Sequence, residues 1–251
     1  MTITPIEIIA LPGIPLVSPG DDIVPLILNA LMENDIELHD RDIFVIAHTI
    51  VSKSEGRIVD SASVVVSEKA KSIAEENGFD PIQVQVAISE SKEILREKRA
   101  LITRLKSGHI CNFSGVDRSN APVGSFVLLP LDADRSAEKI KDALETASGK
   151  SIAVIISDTE GRPWRKGAVN LAIGCSGINA FKYNEGKHDL YDRTLQHSLV
   201  CQIDQVASAS EMLMGQADEG IPVVIIRGYD YEQGTENSTD IHRALDENLF
   251  K

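Results

Sequence analysis

Short apolar runs, separated by polar and glycine-rich breaks, are the strongest pattern in this chain. Residues 42–47 (DIFVIA), 151–157 (SIAVIIS) and 223–227 (VVIIR) read as strands, the second being the most strand-like stretch of all. Further strands are expected over 3–10, 101–105, 109–113, 125–130 and 171–175. Helical spacing follows Asp21-Asp22, where Ile23, Leu26, Ile27, Ala30 and Leu31 share one face. Residues 67–77 form a second helix, stopped by Gly78, and 81–98 a third, with Pro81 in its first turn. A fourth opens at Asp134-Arg135-Ser136-Ala137-Glu138 and runs to about 147, and 192–214 is predicted to be mostly one long helix. Between these elements, 11–20 is a loop with three prolines and two glycines, 48–56 a polar loop, and the segment from Gly228 a polar, partly mobile tail.

Strands and helices interleave without a strict βαβ rhythm, so the pattern predicts a mixed α/β or α+β fold rather than a doubly wound sheet. Neither GxxxxGK[ST] nor a strand followed by GxGxxG occurs, so no P-loop and no Rossmann motif is expected. No repeat or low-complexity linker divides the chain, which is read as one domain over 1–251 with room for two subdomains.

Composition changes the picture in three ways. At 43% hydrophobic but 4% aromatic, the chain must build an aliphatic core. A net charge of -13 without a basic stripe excludes nucleic acid as a partner. Cys111, Cys175 and Cys201 are far apart and form no CxxC pair, which fits reduced core thiols in a cytosol. No basic, long-apolar leader opens the chain and its apolar runs are too short to span a bilayer, so a soluble, cytoplasmic protein is expected.

Five stretches could carry chemistry. Asp158-Thr159 ends a strand and offers a carboxylate and a hydroxyl suited to Mg²⁺ or Mn²⁺, although Asp158 could equally cap its own turn. The GVDRSN loop adds Asp117 and Asn120, in a setting that also fits a plain turn. Arg162, Arg165 and Lys166 crowd around Pro163-Trp164; Arg forks match phosphate or carboxylate oxygens, and the alternative is a solvated basic turn with Trp164 in the core. MGQADEGIP carries two glycines that let backbone approach a ligand, or simply ends a helix. Lys53, in TIVSKSEG, could hold a phosphate or merely be solvated. Acids beside bases make sense if a divalent metal and an anionic substrate share one site, the electrostatic need of phosphoryl transfer.

Taken in order, GVDRSN, SDTEGRPWRKG, AIGCSG, HDLYDRTL and MGQADEGIPVVIIRG resemble the coenzyme F420-0:L-glutamate ligase, or F420 γ-glutamyl ligase, family. The segments GIPLVSPGDDI and TIVSKSEGR match as well, so the likeness covers about 13–227. The resemblance implies the fold of that family, with mixed sheets and packed helices, in a homodimer. It implies GTP as co-substrate, two divalent ions (Mg²⁺ or Mn²⁺) and a helping K⁺. GTP would activate the terminal carboxylate of F420-0 as an acyl phosphate, and L-glutamate would attack it, with further γ-linked glutamates able to follow. Carried over by residue, Asp117 and Asp158 would hold one divalent ion, and Thr159 and Gln216 a second. His48, Thr49, Lys53 and Asn120 would lie along GTP. So would Pro12, Gly13, Ile14 and Pro15, and the run Met214, Gly215, Gln216, Ala217, Asp218, Glu219, Gly220 and Ile221. No covalent nucleophile is implied; Arg162 and Arg165 are separate candidates for substrate anions. The chain departs from the family pattern at Asp192, where Gly is usual, and at Gln205, where Glu is usual; both bear on the acceptor. The nitroreductase-like C-terminal fusion of some relatives is not expected here.

Overall fold

A computed structural model describes residues 5–249. In chain order the elements are β1 (Glu7–Ala10), α1 (Ile23–Glu33), β2 (Ile43–Ala47), α2 (His48–Ser54), β3 (Ile58–Asp60), α3 (Glu68–Asn77), α4 (Pro81–Glu90), β4 (Ser91–Arg96), β5 (Ile102–Leu105), β6 (Ile110–Asn112), β7 (Ser125–Val127), α5 (Ala133–Ser148), β8 (Ala153–Arg162), β9 (Arg165–Ser176), β10 (Phe181–Tyr183), β11 (Leu199–Cys201), α6 (Gln202–Met214) and β12 (Val223–Arg227). The fold is α+β with several sheets, as the pattern predicts.

The main sheet has five strands in the order β1-β12-β2-β8-β9. Only β2 and β8 are parallel neighbours; the other pairs are antiparallel. Its central strands are continuous apolar runs because both faces are covered. Phe44, Ile46, Val154, Ile156, Val223 and Ile225 face α1, α2 and α5. Their neighbours Ile43, Val45, Ala153, Ile155, Val224 and Ile226 face α6. This is the period-two alternation of a strand. It makes each residue choice matter: truncating the fully buried Phe44 to Ala should cost about 3–5 kcal/mol. A third apolar cluster, with Ile73, Val84, Leu101 and Phe126, packs α3 and α4 against the smaller strands.

Helix starts follow side-chain chemistry. Asp22, Ser67, Asp80 and Asp132 each accept a backbone N–H at the head of α1, α3, α4 and α5. Gly78 and Gly149 close α3 and α5 in left-handed geometry.

Four expectations need correction. Residues 48–56 do not form a loop: they hold α2, whose His48, Ser52 and Lys53 are buried polar residues that hid its helical pattern. The helix expected over 81–98 stops at Glu90, because β4 pairs with β5 and Ser91 Oγ turns back to the Ile88 carbonyl. The helix expected over 192–214 starts only at Gln202, since Leu199–Cys201 pairs with Phe181–Tyr183. The segment after Gly228 is not wholly a loose tail: Tyr231 and Ser238 are buried, and Ser238 is bonded to Asp134. The first strand is seen as Glu7–Ala10; Ile3 and Thr4 of the expected strand lie outside the described residues. No described helix is long and apolar enough to cross a membrane.

Candidate functional site

Four distant segments meet at one end of the main sheet, and strand direction is the reason. Parallel β2 and β8 pair Ala47 with Ser157, so the next residues, His48 and Asp158, emerge side by side. Antiparallel β12 begins at the same end, Val223 opposite Ile46, and the Ala47 N–H donates to the Pro222 carbonyl (2.9 Å). The Met214–Ile221 segment therefore arrives here. β1 ends here as well, with Leu11 N–H on the Val223 carbonyl (3.0 Å), and delivers Pro12, Gly13, Ile14 and Pro15. The carboxyl ends of parallel strands are the common place for a ligand crevice in such sheets.

Asp158 sits at the centre. Its Oδ1 lies 3.2 Å from His48 Nε2 and accepts the Thr159 N–H at 2.7 Å. His48 is anchored in turn by Ser52 Oγ, 3.4 Å from Nδ1. Burial alone would raise the Asp158 pKa, but the His48 charge and hydrogen bond, the Thr159 N–H and the more distant His109 outweigh it. The carboxyl is held below its usual range, so it stays an anion.

Thr159 opens a second network. The β8–β9 hairpin continues beyond the sheet and sets Asn170 opposite Thr159. Thr159 Oγ1 donates to Asn170 Oδ1 (2.8 Å) and accepts from Gln216 Nε2 (2.7 Å). Gln216 Nε2 also donates to Glu211 Oε1. Asn170 Nδ2 is directed to Ser157 Oγ (3.4 Å) and Met214 Sδ (3.5 Å). Burial raises the Glu211 pKa most, aided by the Glu219 charge and opposed by Gln216 and Asn170.

Lys53 and Asp117 form another part. The Lys53 side chain is only 7% exposed and makes no ion pair among the described residues. Burial lowers its pKa, and the Asp117 charge works the other way. Asp117 is held by the Ser119 N–H (2.8 Å) and hydroxyl. Asn120 is exposed in left-handed geometry (φ 52°), and Thr49 is half-buried in α2. Residues 216–220 are exposed.

The structure thus joins His48, Asp158, Thr159 and Gln216 by direct or relayed contacts, and couples Lys53 to Asp117. Arg162 is different: its guanidinium closes its own hairpin on the carbonyls of Lys166 (3.0 Å) and Gly167 (3.3 Å). Arg165 is exposed at that hairpin's tip, and Trp164 is 78% exposed rather than in the core. Among the described residues no three His, Cys, Asp or Glu are arranged to hold a metal. The donors on hand are carboxylate, hydroxyl and amide oxygens, which suit Mg²⁺ or Mn²⁺ when a ligand's own oxygens and water complete the shell. The thiols offer no nucleophile: burial raises those of Cys111 and Cys175, and pushes Cys201 up to about 12.

Sequence reasoning missed four residues. Asn170 could have been found by extending the strand pattern of LAIGC backward. Glu211 is the lone acid in SASEMLMG. His109 and Glu160, which pair directly, had no local signal, being 51 residues apart. His109 also lines a cleft of ≈ 930 Å³ bordered by Leu129, Asp134, Ile173, Glu236 and His242.

Known proteins resemble this chain over most of its length. The model of the family described as F420-0:Gamma-glutamyl ligase matches residues 13–228. The Coenzyme F420:L-glutamate ligase of Methanothermobacter thermautotrophicus is 46% identical over 225 residues, 89% of each chain. Its namesake in Methanocaldococcus jannaschii is 45% identical, covering 85% of this chain and 86% of that protein. The one in Archaeoglobus fulgidus is 37% identical, covering 98% of this chain and 96% of that protein. Every segment of the site lies within or beside the matched region, and this chain belongs to the F420-0:gamma-glutamyl ligase family.

Proposed function

We propose that this protein joins L-glutamate to the terminal carboxylate of F420-0 in a GTP-dependent reaction. The observation that carries the reading is the ionised Asp158, locked to His48 and followed by the Thr159–Gln216 network, in a member of this family. A carboxylate oxygen of F420-0 attacks the γ-phosphorus of GTP, and the bond to the β-phosphate oxygen breaks to release GDP. The amine of glutamate, having lost a proton, attacks the acyl carbon. Phosphate departs with the electron pair of the C–O bond, leaving an amide. Further γ-linked glutamates follow by the same steps on the new terminal carboxylate.

The chain's own groups fit these tasks. Lys53 offers a positive charge to the phosphates beside His48, Thr49 and Asn120. The 12–15 and 214–221 segments offer backbone groups from the two neighbouring loops. Asp117 and Asp158 would hold one divalent ion, and Thr159 and Gln216 another. Bound Mg²⁺ or Mn²⁺ supplies charge neutralisation on the phosphate oxygens. K⁺ is assigned a supporting role, and the active form is assigned as a homodimer, in which the exposed Leu190 and Tyr191 are available for contact. Arg165 remains assigned to substrate anions, and Arg162 through the guanidinium N–H groups that its own hairpin leaves over.

The two departures from the family pattern leave the fold intact at their positions. Asp192 adopts φ 62°, the left-handed geometry that Gly takes freely and Asp tolerates, so the backbone path is kept. Gln205 is on the exposed face of α6.

Mass spectrometry of purified protein with F420-0, L-glutamate, GTP and Mn²⁺, omitting each in turn, tests the proposal. A gain of glutamyl units that requires GTP and metal is expected. GTP hydrolysis without glutamate addition would overturn the acceptor assignment, and addition without GTP would overturn the mechanism.

A further inference from the structure

We propose that Glu211 is a further oxygen ligand for a divalent cation at Thr159 and Gln216, and that it also sets the Gln216 amide for that role. The inference rests on the ligase reading only in expecting a divalent ion there.

The backbone brings the two residues together. Glu211 lies in the last turn of α6, and its carbonyl accepts the Gly215 N–H at 3.1 Å. Gly215 then adopts φ 67°, ψ -174°, and turns the chain so that Gln216 folds over Glu211. A side chain at 215 would collide with the Glu219 carboxyl, which occupies that space.

Hydrogen-bond directions orient the amide. Asn170 gives its N–H groups to Ser157 and Met214, so its Oδ1 takes the Thr159 hydroxyl proton. The Thr159 oxygen is then the acceptor for Gln216 Nε2. The second N–H of that nitrogen goes to Glu211 Oε1. With its nitrogen so used, Gln216 Oε1 takes no part in these contacts.

Glu211 itself is left incomplete. Its Oε2 is buried without a hydrogen-bond partner among the described residues, a condition shared there only with the Tyr231 hydroxyl. Two other inward carboxylates are satisfied: the buried Asp42 by Arg227 and a backbone N–H, and the half-buried Asp134 by two backbone N–H groups and Ser238. An unmatched buried polar group calls for an explanation, a missing ion being one. Thr159 Oγ1, Gln216 Oε1 and Glu211 Oε2 are a hard-oxygen set, to which water and phosphate oxygens could add.

Mn²⁺ alone, titrated into the full-length protein and followed by the electron paramagnetic resonance of free Mn²⁺, tests this. Glu211→Gln keeps the shape and can still accept from Gln216, but removes the charge. The expected result is one Mn²⁺ bound about tenfold or more weakly. Melting without metal should occur at or above the wild-type temperature, and the Mn²⁺-induced rise should shrink. Glu211→Asp, which keeps the charge on a shorter arm, should bind between the two. Wild-type stoichiometry and affinity in Glu211→Gln, or a lower melting temperature without metal, would overturn the proposal. No Mn²⁺ uptake by the wild type would overturn it together with the metal assignments above. Mn²⁺ uptake sensitive to Glu211, without glutamyl transfer, would sink the ligase reading and leave this inference standing.

Discussion

At one end of the main sheet, Asp42 and Arg227 close on each other; at the other, Asp158, Thr159, Gln216 and Glu211 do not close. Both ends are built from β2, β8 and β12. At the closed end Asp42 is fully buried and gripped by Arg227 Nε (2.8 Å) and Nη2 (2.7 Å), with the His39 N–H at 2.9 Å. Here the buried acid meets its opposite charge within the chain. At the open end Asp158 has His48, while Glu211 has only the neutral side chains of Gln216 and Asn170, and Lys53 is buried without an ion pair among the described residues. A fold gains nothing from leaving acids and an amine incompletely matched, since desolvated charges are costly. The difference teaches that the closed end serves stability, and that the open end is where the proposed function seats its ligand.

The largest expected effect tests the open end. Asp158→Asn should lower kcat/KM for glutamyl transfer on the order of 10²–10³-fold, while its circular dichroism stays wild-type. Activity near wild type would break the comparison. Next comes the closed end: Arg227→Met leaves Asp42 buried and unpaired, and should cost about 3 kcal/mol. A chain of this size should then melt roughly 6–12 °C lower, at unchanged specific activity of the folded fraction. Lys53→Met should weaken GTP binding roughly tenfold, read by calorimetry. Its melting temperature should not fall, because the desolvated ammonium is removed.

The smallest effect is a pH slope. Burial would lower the His109 pKa, but the Glu160 hydrogen bond and charge, with Asp158 and Asp204 farther off, raise it overall. A raised imidazole pKa adds stability that is full below the unfolded value of about 6.5 and is lost as pH rises through the folded value. Unfolding by denaturant should therefore become easier above about pH 6.5, and Glu160→Gln should flatten that slope. An unchanged slope would place the titration elsewhere.

How much was legible in the chain varies by element. The strands β2, β8 and β12 were plain because both of their faces are buried, which leaves unbroken apolar runs. Helices α1, α3 and α5 were plain because caps and an apolar face agree. Helix α2 was missed because its inward side carries His48, Ser52 and Lys53, so polar residues interrupt the apolar stripe. β4 was read as helix because residues 91–96 have no strong local preference, and pairing with β5 decides them. Asp158, Thr159 and Gln216 could be singled out as motif residues, yet nothing local said that Asn170 and Glu211 complete their network.

The sequence by itself determined the class of fold, the buried strands, the capped helices and the motifs that carry the family likeness. These depend on periodicity, capping and residue identity, which are local quantities. Only the tertiary structure decided that His48, Asp158 and Gln216 share one sheet end, that Asp42 meets Arg227 at the other, and that one Glu211 oxygen is left without a hydrogen-bond partner among the described residues. Those facts depend on strand order, direction and register, which join residues far apart in the chain through contacts that no local window contains.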